Sequence, residues 1–311
     1  MRIVFMGTPD YAAASLQALL DAGYEVVGVF TQPDKPKGRS GKVIAPPVKT
    51  LAQQHGIPVY QPRRIRGEGV ETLRALAPDL CVTAAFGQIL SQEILDIPRL
   101  GTVNVHASLL PGYRGSSPVH WAIINGESKT GITTMMTDAG IDTGDILLQA
   151  ETRILPGETA GELIQRLAAI GAELLIDTVK AMEKGNCPRA PQDESQMSYY
   201  PLLTRELGRI DWRAPAREIV NRIHGLNPWP SAFSASPWGQ LKLHRAEETA
   251  GSGMPGEILL ASPKEGLVIA GGEGAVRIIS MQAPGGKAMA PEDFLRGHPL
   301  PAGAGHMNGE A

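Results

Sequence analysis

Asn104 and His106 are separated by one residue and lie at the end of the apolar run 101–108. In an extended chain, alternate residues point to the same face. An amide and an imidazole therefore project together from one strand. The amide donates hydrogen bonds whatever the pH, and the imidazole can donate, accept or move a proton near neutrality. Two such groups can stabilise the negative oxygen of a tetrahedral intermediate. The competing reading is a pair of satisfied polar residues at a strand end. The next stretch, 108–118, is rich in Pro, Gly and Ser. Such a loop puts backbone donors and acceptors at the rim of a pocket, although 112–117 also reads as an ordinary surface connection.

Three acids, Asp138, Asp142 and Asp145, share a turn-rich stretch with Gly140 and Gly144. Their spacing does not match a calcium loop, and no glutamate closes a twelve-residue ring. A carboxylate beside His106 would favour the charged ring and could take a proton, directly or through water. Spacing alone does not choose among the three.

A separate signal is electrostatic. From Lys35 to Arg66 there is no Asp or Glu, while Lys35, Lys37, Arg39, Lys42, Lys49, Arg63, Arg64 and Arg66 all fall within it. The part 35–42 reads as a flexible loop. Cations on a loop suit a phosphate backbone, and they equally suit a solvated surface.

The elements that must position these groups alternate. Strands are expected at 2–7, 25–31, 58–61, 80–87, 101–108, 130–137 and 145–154, and helices at 9–22, 49–55 and 70–76. Runs that are apolar on both faces, alternating with helices, predict a doubly wound, mostly parallel α/β sheet. Thr159 and Glu162 form a capping box, and Leu163, Leu167, Ile170 and Leu174 give the following helix an apolar face. Residues 187–207 read as a linker. Beyond it, a helix at 215–224 precedes strands at 232–236, 240–246, 257–260, 266–270 and 275–281, which suggests a small β-barrel. The expected division is 1–186, a linker 187–207, and 208–311.

Gly7 ends the first strand, but the G-x-G-x-x-G of a dinucleotide site is missing, which counts against a nicotinamide enzyme. The chain has 311 residues with 42% hydrophobic and 20% charged residues, and its net charge is −3. No apolar run approaches the roughly 18–20 residues of a membrane span, and the N-terminus lacks a signal-peptide pattern. Cys81 and Cys187 are too few and too scattered for a zinc site, and they fit a reducing, cytoplasmic setting. From residue 208 onward, ten Lys and Arg balance ten Asp and Glu, so the basic concentration lies in the first half.

Together the motifs resemble the folate-dependent formyltransferases, most closely those that act on charged initiator tRNA. The residues that carry this run along the chain: Phe5-Met6-Gly7-Thr8-Pro9, Lys37-Gly38-Arg39, Asn104-Val105-His106-Ala107-Ser108-Leu109-Leu110-Pro111, Tyr113-Arg114-Gly115, Asp142-Thr143-Gly144-Asp145 and Gly225-Leu226-Asn227-Pro228-Trp229-Pro230. The resemblance implies a Rossmann-like N-terminal domain and an OB-like C-terminal barrel. It implies transfer of a formyl group from 10-formyltetrahydrofolate to the α-amine of methionyl initiator tRNA, without a metal, a membrane or an obligate protein partner. The family's catalytic positions fall on Asn104, His106 and Asp142. Its folate segment falls on Ser108, Leu109, Leu110 and Pro111, with Phe86, Gly87, Gln88, Ile89 and Leu90 as a pterin-side wall. Its tRNA loop falls on Lys35, Lys37, Gly38, Arg39 and Lys42. The alternatives are a formyltransferase acting on an amino sugar nucleotide and a non-catalytic tRNA-binding protein.

Overall fold

A computed structural model describes residues 1–37, 41–300 and 305–307. The chain forms two compact units. The first comprises 1–115, 130–152 and 164–200, and the second comprises 116–129, 153–163 and 201–311.

A seven-stranded sheet organises the first unit. Its spatial order is Ile146–Arg153, Lys129–Met136, Thr102–His106, Leu80–Ala84, Arg2–Gly7, Glu25–Phe30, Val59–Tyr60. The five strands from Val59–Tyr60 to Thr102–His106 run parallel, and Lys129–Met136 runs antiparallel to Thr102–His106. The sheet is thus Rossmann-like and mixed. Leu80–Ala84 is buried along its whole length, as a parallel strand covered on both faces must be.

Gly7 serves packing. A Cβ there would stand 2.7 Å from Ala12 Cβ and 2.7 Å from Phe5. Only glycine lets the helix Asp10–Asp21 start so close to the strand, which accounts for one glycine without a nucleotide fingerprint. Gly171 does similar work on the helix Ala160–Glu183, where a Cβ would meet Val105 Cγ1 at 3.1 Å. Tyr11 donates its hydroxyl hydrogen to the Val105 carbonyl at 3.3 Å. The residue between Asn104 and His106 is therefore gripped by two helices, and burial pushes the Tyr11 phenol well above its ordinary range.

The expected capping box is formed. Thr159 N–H donates to Glu162 Oε2 at 2.9 Å, and Glu162 N–H donates to Thr159 Oγ1 at 3.4 Å. Leu163 and Leu167 are buried as expected, while Leu175 and Val179 continue the buried stripe where Ile170 and Leu174 are half-buried.

The second unit carries a six-stranded antiparallel sheet. Its order is Ala232–Ser234, Leu241–Thr249, Ala275–Gln282, Gly266–Ala270, Ile258–Ser262, with Ala288–Met289 also paired to Ala275–Gln282. All five expected strands are present. Trp212, Leu241, Leu243, Ile269 and Ile278 form its core together with Ile219 and Ile223 of the helix Ala216–Gly225. The short helix Pro291–Gly297 and the strand Ala288–Met289 were not read from the sequence. Among the described residues, no helix is long and apolar enough to cross a membrane.

Two segments differ from their sequence reading. The base of the basic loop is a hairpin, Lys35–Lys37 paired antiparallel with Lys42–Ile44. Gly38 and Arg39 lie outside the described residues. In the stretch read as a linker, Tyr199–Tyr200 pairs in parallel with Arg114–Gly115 and belongs to the first unit as far as residue 200.

Candidate active site

His106 ends its strand and is 6% exposed. Its Nε2 lies 3.0 Å from the Tyr113 carbonyl oxygen. A carbonyl only accepts, so Nε2 carries a hydrogen. Its Nδ1 lies 3.6 Å from Asp142 Oδ1. Both ring nitrogens face acceptors, Nε2 at hydrogen-bond distance and Nδ1 just beyond it. The other carboxylate oxygen, Asp142 Oδ2, accepts the Gly115 N–H at 2.9 Å.

Asn104 is oriented from the neighbouring strand. Thr83 and Asn104 are register partners, and the Thr83 hydroxyl donates to Asn104 Oδ1 at 2.9 Å. This turns the amide NH2 away from Thr83. Among the described residues, that NH2 has no hydrogen-bond partner, so it has donors to offer a ligand.

Asp142 reaches the site by an indirect path. Thr137 N–H bonds the Thr102 carbonyl at 2.7 Å. The chain therefore leaves the sheet level with Thr102, four residues before His106, which is roughly 13 Å along a strand. Residues 138–142 fold back to bring Asp142 beside His106. Asp138 closes this turn, accepting from Gly140 N–H at 3.0 Å and from the Thr143 hydroxyl at 2.7 Å. A Cβ on Gly144 would collide with the Met136 carbonyl. Asp142 itself has φ +54°, a left-handed backbone that asparagine and aspartate tolerate best among non-glycines. Of the three acids, Asp142 is the one facing the imidazole, and Asp138 is engaged in the turn.

The segment 108–111 is bound to the sheet. Ser108 donates to the Gly112 carbonyl at 2.8 Å. The Thr133 hydroxyl donates to the Ser108 carbonyl at 2.7 Å and accepts the Leu110 N–H at 3.1 Å. The Gln149 amide donates to the Leu110 carbonyl at 2.8 Å. Ser108 and Leu110 are buried, while Leu109, whose Cδ2 packs over Gly131, and Pro111 are half-buried.

In the segment 86–90, Phe86 and Leu90 turn into the hydrophobic core. Gln32 holds the Phe86 and Gly87 carbonyls, each at 3.1 Å. Gln88 accepts the Ile65 N–H at 2.7 Å and donates to the Pro62 carbonyl at 3.0 Å. Ile89 alone presents an apolar side chain to solvent, at 72% exposure. What this wall offers is main chain and Ile89.

The basic run divides. Lys49 donates to Asp34 at 2.7 Å and to Gln61 at 2.8 Å and is largely buried, so it braces the foot of the hairpin. Its ammonium and the Gln61 amide hold the Asp34 carboxyl below its usual range. Lys35 is exposed at the hairpin start.

Two family models match the chain. Residues 1–179 match "Formyl transferase", and residues 202–299 match "Formyl transferase, C-terminal domain". A protein of Trichlorobacter lovleyi named methionyl-tRNA formyltransferase is 50% identical over 97% of this chain and 96% of its own length. One of the same name from Acetivibrio thermocellus is 49% identical over the full length of both chains. The chain belongs to the methionyl-tRNA formyltransferase family. The fold of this formyltransferase is shared more widely. HypX from Aquifex aeolicus, solved with tetrahydrofolic acid, superposes with a TM-score of 0.67 at 20% identity, covering 95% of this chain and 47% of that one. A Helicobacter canadensis N-formyltransferase solved with folinic acid and dTDP-3-aminofucose gives 0.68 at 20% identity, covering 89% and 97%.

Sequence reasoning did not assign roles to several residues that surround the candidate site of this formyltransferase. Thr83 sits in an apolar strand, and its only signal was a hydroxyl in register with Asn104. Tyr113, at φ +59°, supplies its carbonyl to His106, donates its N–H to Ser198 Oγ at 2.9 Å and stacks on Tyr200 at 4.7 Å. Ser198 and Tyr200 lie within the stretch read as a linker.

Proposed function

We propose that the chain transfers the formyl group of 10-formyltetrahydrofolate to the α-amine of methionyl initiator tRNA at Asn104, His106 and Asp142. The observation that carries this reading is a His106–Asp142 pair 3.6 Å apart, two residues along the strand from an Asn104 amide held by Thr83 at its oxygen end. That set supplies what formyl transfer to an amine requires. The attacking amine must be neutral. As it adds to the formyl carbon, charge builds on the formyl oxygen, and the Asn104 NH2 donates to it. One such donor is typically worth about 2.7–4 kcal/mol. His106 joins by exchanging its bond to the Tyr113 carbonyl for one to the oxygen. Asp142 balances the ring and takes the amine proton, directly or through water. The departing N10 needs a proton, and the His106–Asp142 pair is the donor at hand. Atoms and charge then balance: formyl moves from N10 to the amine, and one proton moves the other way.

The half-buried Leu109 and Pro111, the main chain of 86–90, which Gln32 anchors at Phe86 and Gly87, and exposed Ile89 suit a flat, partly polar pterin. The basic segment 35–42, with Lys35, Lys37, Gly38, Arg39 and Lys42 in its sequence, is the part of the chain suited to the phosphates of the tRNA acceptor end. The antiparallel sheet of the second unit acts as an OB-like barrel that adds sequence-tolerant hold on tRNA. The site works in the cytoplasm, where charged initiator tRNA is found.

The test is transfer of labelled formyl from 10-formyltetrahydrofolate to charged initiator tRNA, to charged elongator tRNA and to a dTDP-amino sugar. Strong preference for the initiator is expected. Equal or better use of the sugar, or tRNA binding without turnover, overturns the reading.

A further inference from the structure

Asp142 lies on a folded-back loop with a left-handed backbone, and its position is also enforced from outside that loop. Gln192 does this. Its amide NH2 donates to the Asp142 carbonyl at 2.8 Å and to the Gly144 carbonyl at 2.8 Å. Its Oε1 accepts from Arg114 Nε at 2.9 Å and from Arg114 Nη2 at 2.8 Å. Arg114 is 3% exposed and is held in turn by Glu194, at 2.7 and 3.1 Å. The Arg114 guanidinium keeps the Glu194 carboxyl below its ordinary range. Arg114 also adjoins Gly115, whose N–H binds Asp142 Oδ2 at 2.9 Å. Asp142 is thus gripped at its carbonyl by Gln192 and at its carboxylate by the strand that carries Arg114.

The polarity of this relay is fixed. A guanidinium only donates, so it sets the Gln192 oxygen toward itself and the NH2 toward the two carbonyls. An amide is the side chain that can accept from Arg114 and donate to the loop at once. We infer that Gln192, oriented by Arg114, is a positioning residue that sets Asp142 against His106. The inference rests on the reading of Asp142 as the catalytic carboxylate.

The decisive variant is Gln192→Glu. It keeps the volume and gives Arg114 a carboxylate, so folding is preserved. It also turns the donor facing two carbonyls into an acceptor, which expels the Asp142 loop. Misplacement of a reacting group by about 1 Å costs up to ~10²-fold in rate. The expected result for the full chain is a kcat for formyl transfer lowered roughly 10- to 100-fold. KM for folate and for tRNA should stay within about 3-fold, and the melting temperature should not fall. Gln192→Ala should lower kcat similarly, with some loss of stability. In an Asp142→Asn background, Gln192→Glu should cost less than about 2-fold more, because the two act as one unit. Wild-type kcat in Gln192→Glu overturns the inference, as do losses that multiply in the double variant. The parental arm separates the two readings. Full activity of Asp142→Asn removes the catalytic carboxylate and the inference with it, whereas a deficient Asp142→Asn beside a normal Gln192→Glu removes the inference alone.

Discussion

Asn104→Ala separates transition-state stabilisation from folding. The side chain contributes one internal hydrogen bond, from the Thr83 hydroxyl, which also lies 3.4 Å from the Val103 carbonyl. Removing it leaves that hydroxyl a second acceptor, so the folding cost is about 1 kcal/mol, the net worth of one hydrogen bond. The amide NH2 has no partner among the described residues, so nothing else is orphaned. The transition state, by contrast, loses an oxyanion donor worth about 2.7–4 kcal/mol, or ~10²–10³-fold in kcat. Thr83→Val tests the orientation separately. It leaves the amide in place but removes the group that holds its oxygen end. One hydrogen bond of about 0.5–1.5 kcal/mol then predicts a loss of roughly 2- to 12-fold. The assay is single-turnover transfer of labelled formyl at saturating folate and tRNA, with thermal melts in parallel. The expected order is wild type, then Thr83→Val, then Asn104→Ala, with KM for folate nearly constant. A kcat within about 5-fold of wild type for Asn104→Ala, or a loss confined to KM, refutes the argument.

Asp142→Ala should cut kcat far more than tRNA affinity, measured by turnover and filter binding; a selective loss of binding would point to a contact role instead. Arg39→Ala should raise KM for tRNA and spare KM for folate, and added salt should raise the same KM for wild type; a flat salt response would remove phosphate contacts from the account. Burial pushes His120 down to about 4. Its neutral form is the one the fold holds, so this contribution is complete above an unfolded value near 6.5 and fades as pH falls toward 4. Unfolding free energies from urea titrations should therefore drop between pH 7 and 4.5, by on the order of 2 kcal/mol from this residue, and His120→Gln should flatten that part of the profile.

The sheet was legible because its strands are apolar on both faces and its helices are periodic. Asn104 and His106 were legible for the same reason, since strand alternation fixes a shared face without tertiary knowledge. The choice among Asp138, Asp142 and Asp145 was not. It depends on a backbone reversal enforced by Gln192, fifty residues later in the sequence, and no local pattern encodes that. Residues 187–200 read as a linker because polar, Pro-bearing sequence lacks a period. Their order comes from pairing with Arg114–Gly115 and from side-chain hydrogen bonds, which leave no hydrophobic signature. The segment 86–90 reads from the sequence as a wall, but Phe86 and Leu90 face the core. Hydrophobicity cannot tell a side chain that lines a pocket from one that lies beneath it.

The three proposed catalytic groups do not share one mechanical foundation. Asn104 and His106 sit on an internal strand of the seven-stranded sheet and detach only when its pairing opens. Asp142 hangs from a bridge of three side chains, one of them, Glu194, two-thirds exposed. Warming loosens the weaker attachment first. Formyl transfer should therefore fade several degrees below the main calorimetric transition and return on cooling, with the proton-handling arm lost while the oxyanion donors are still standing.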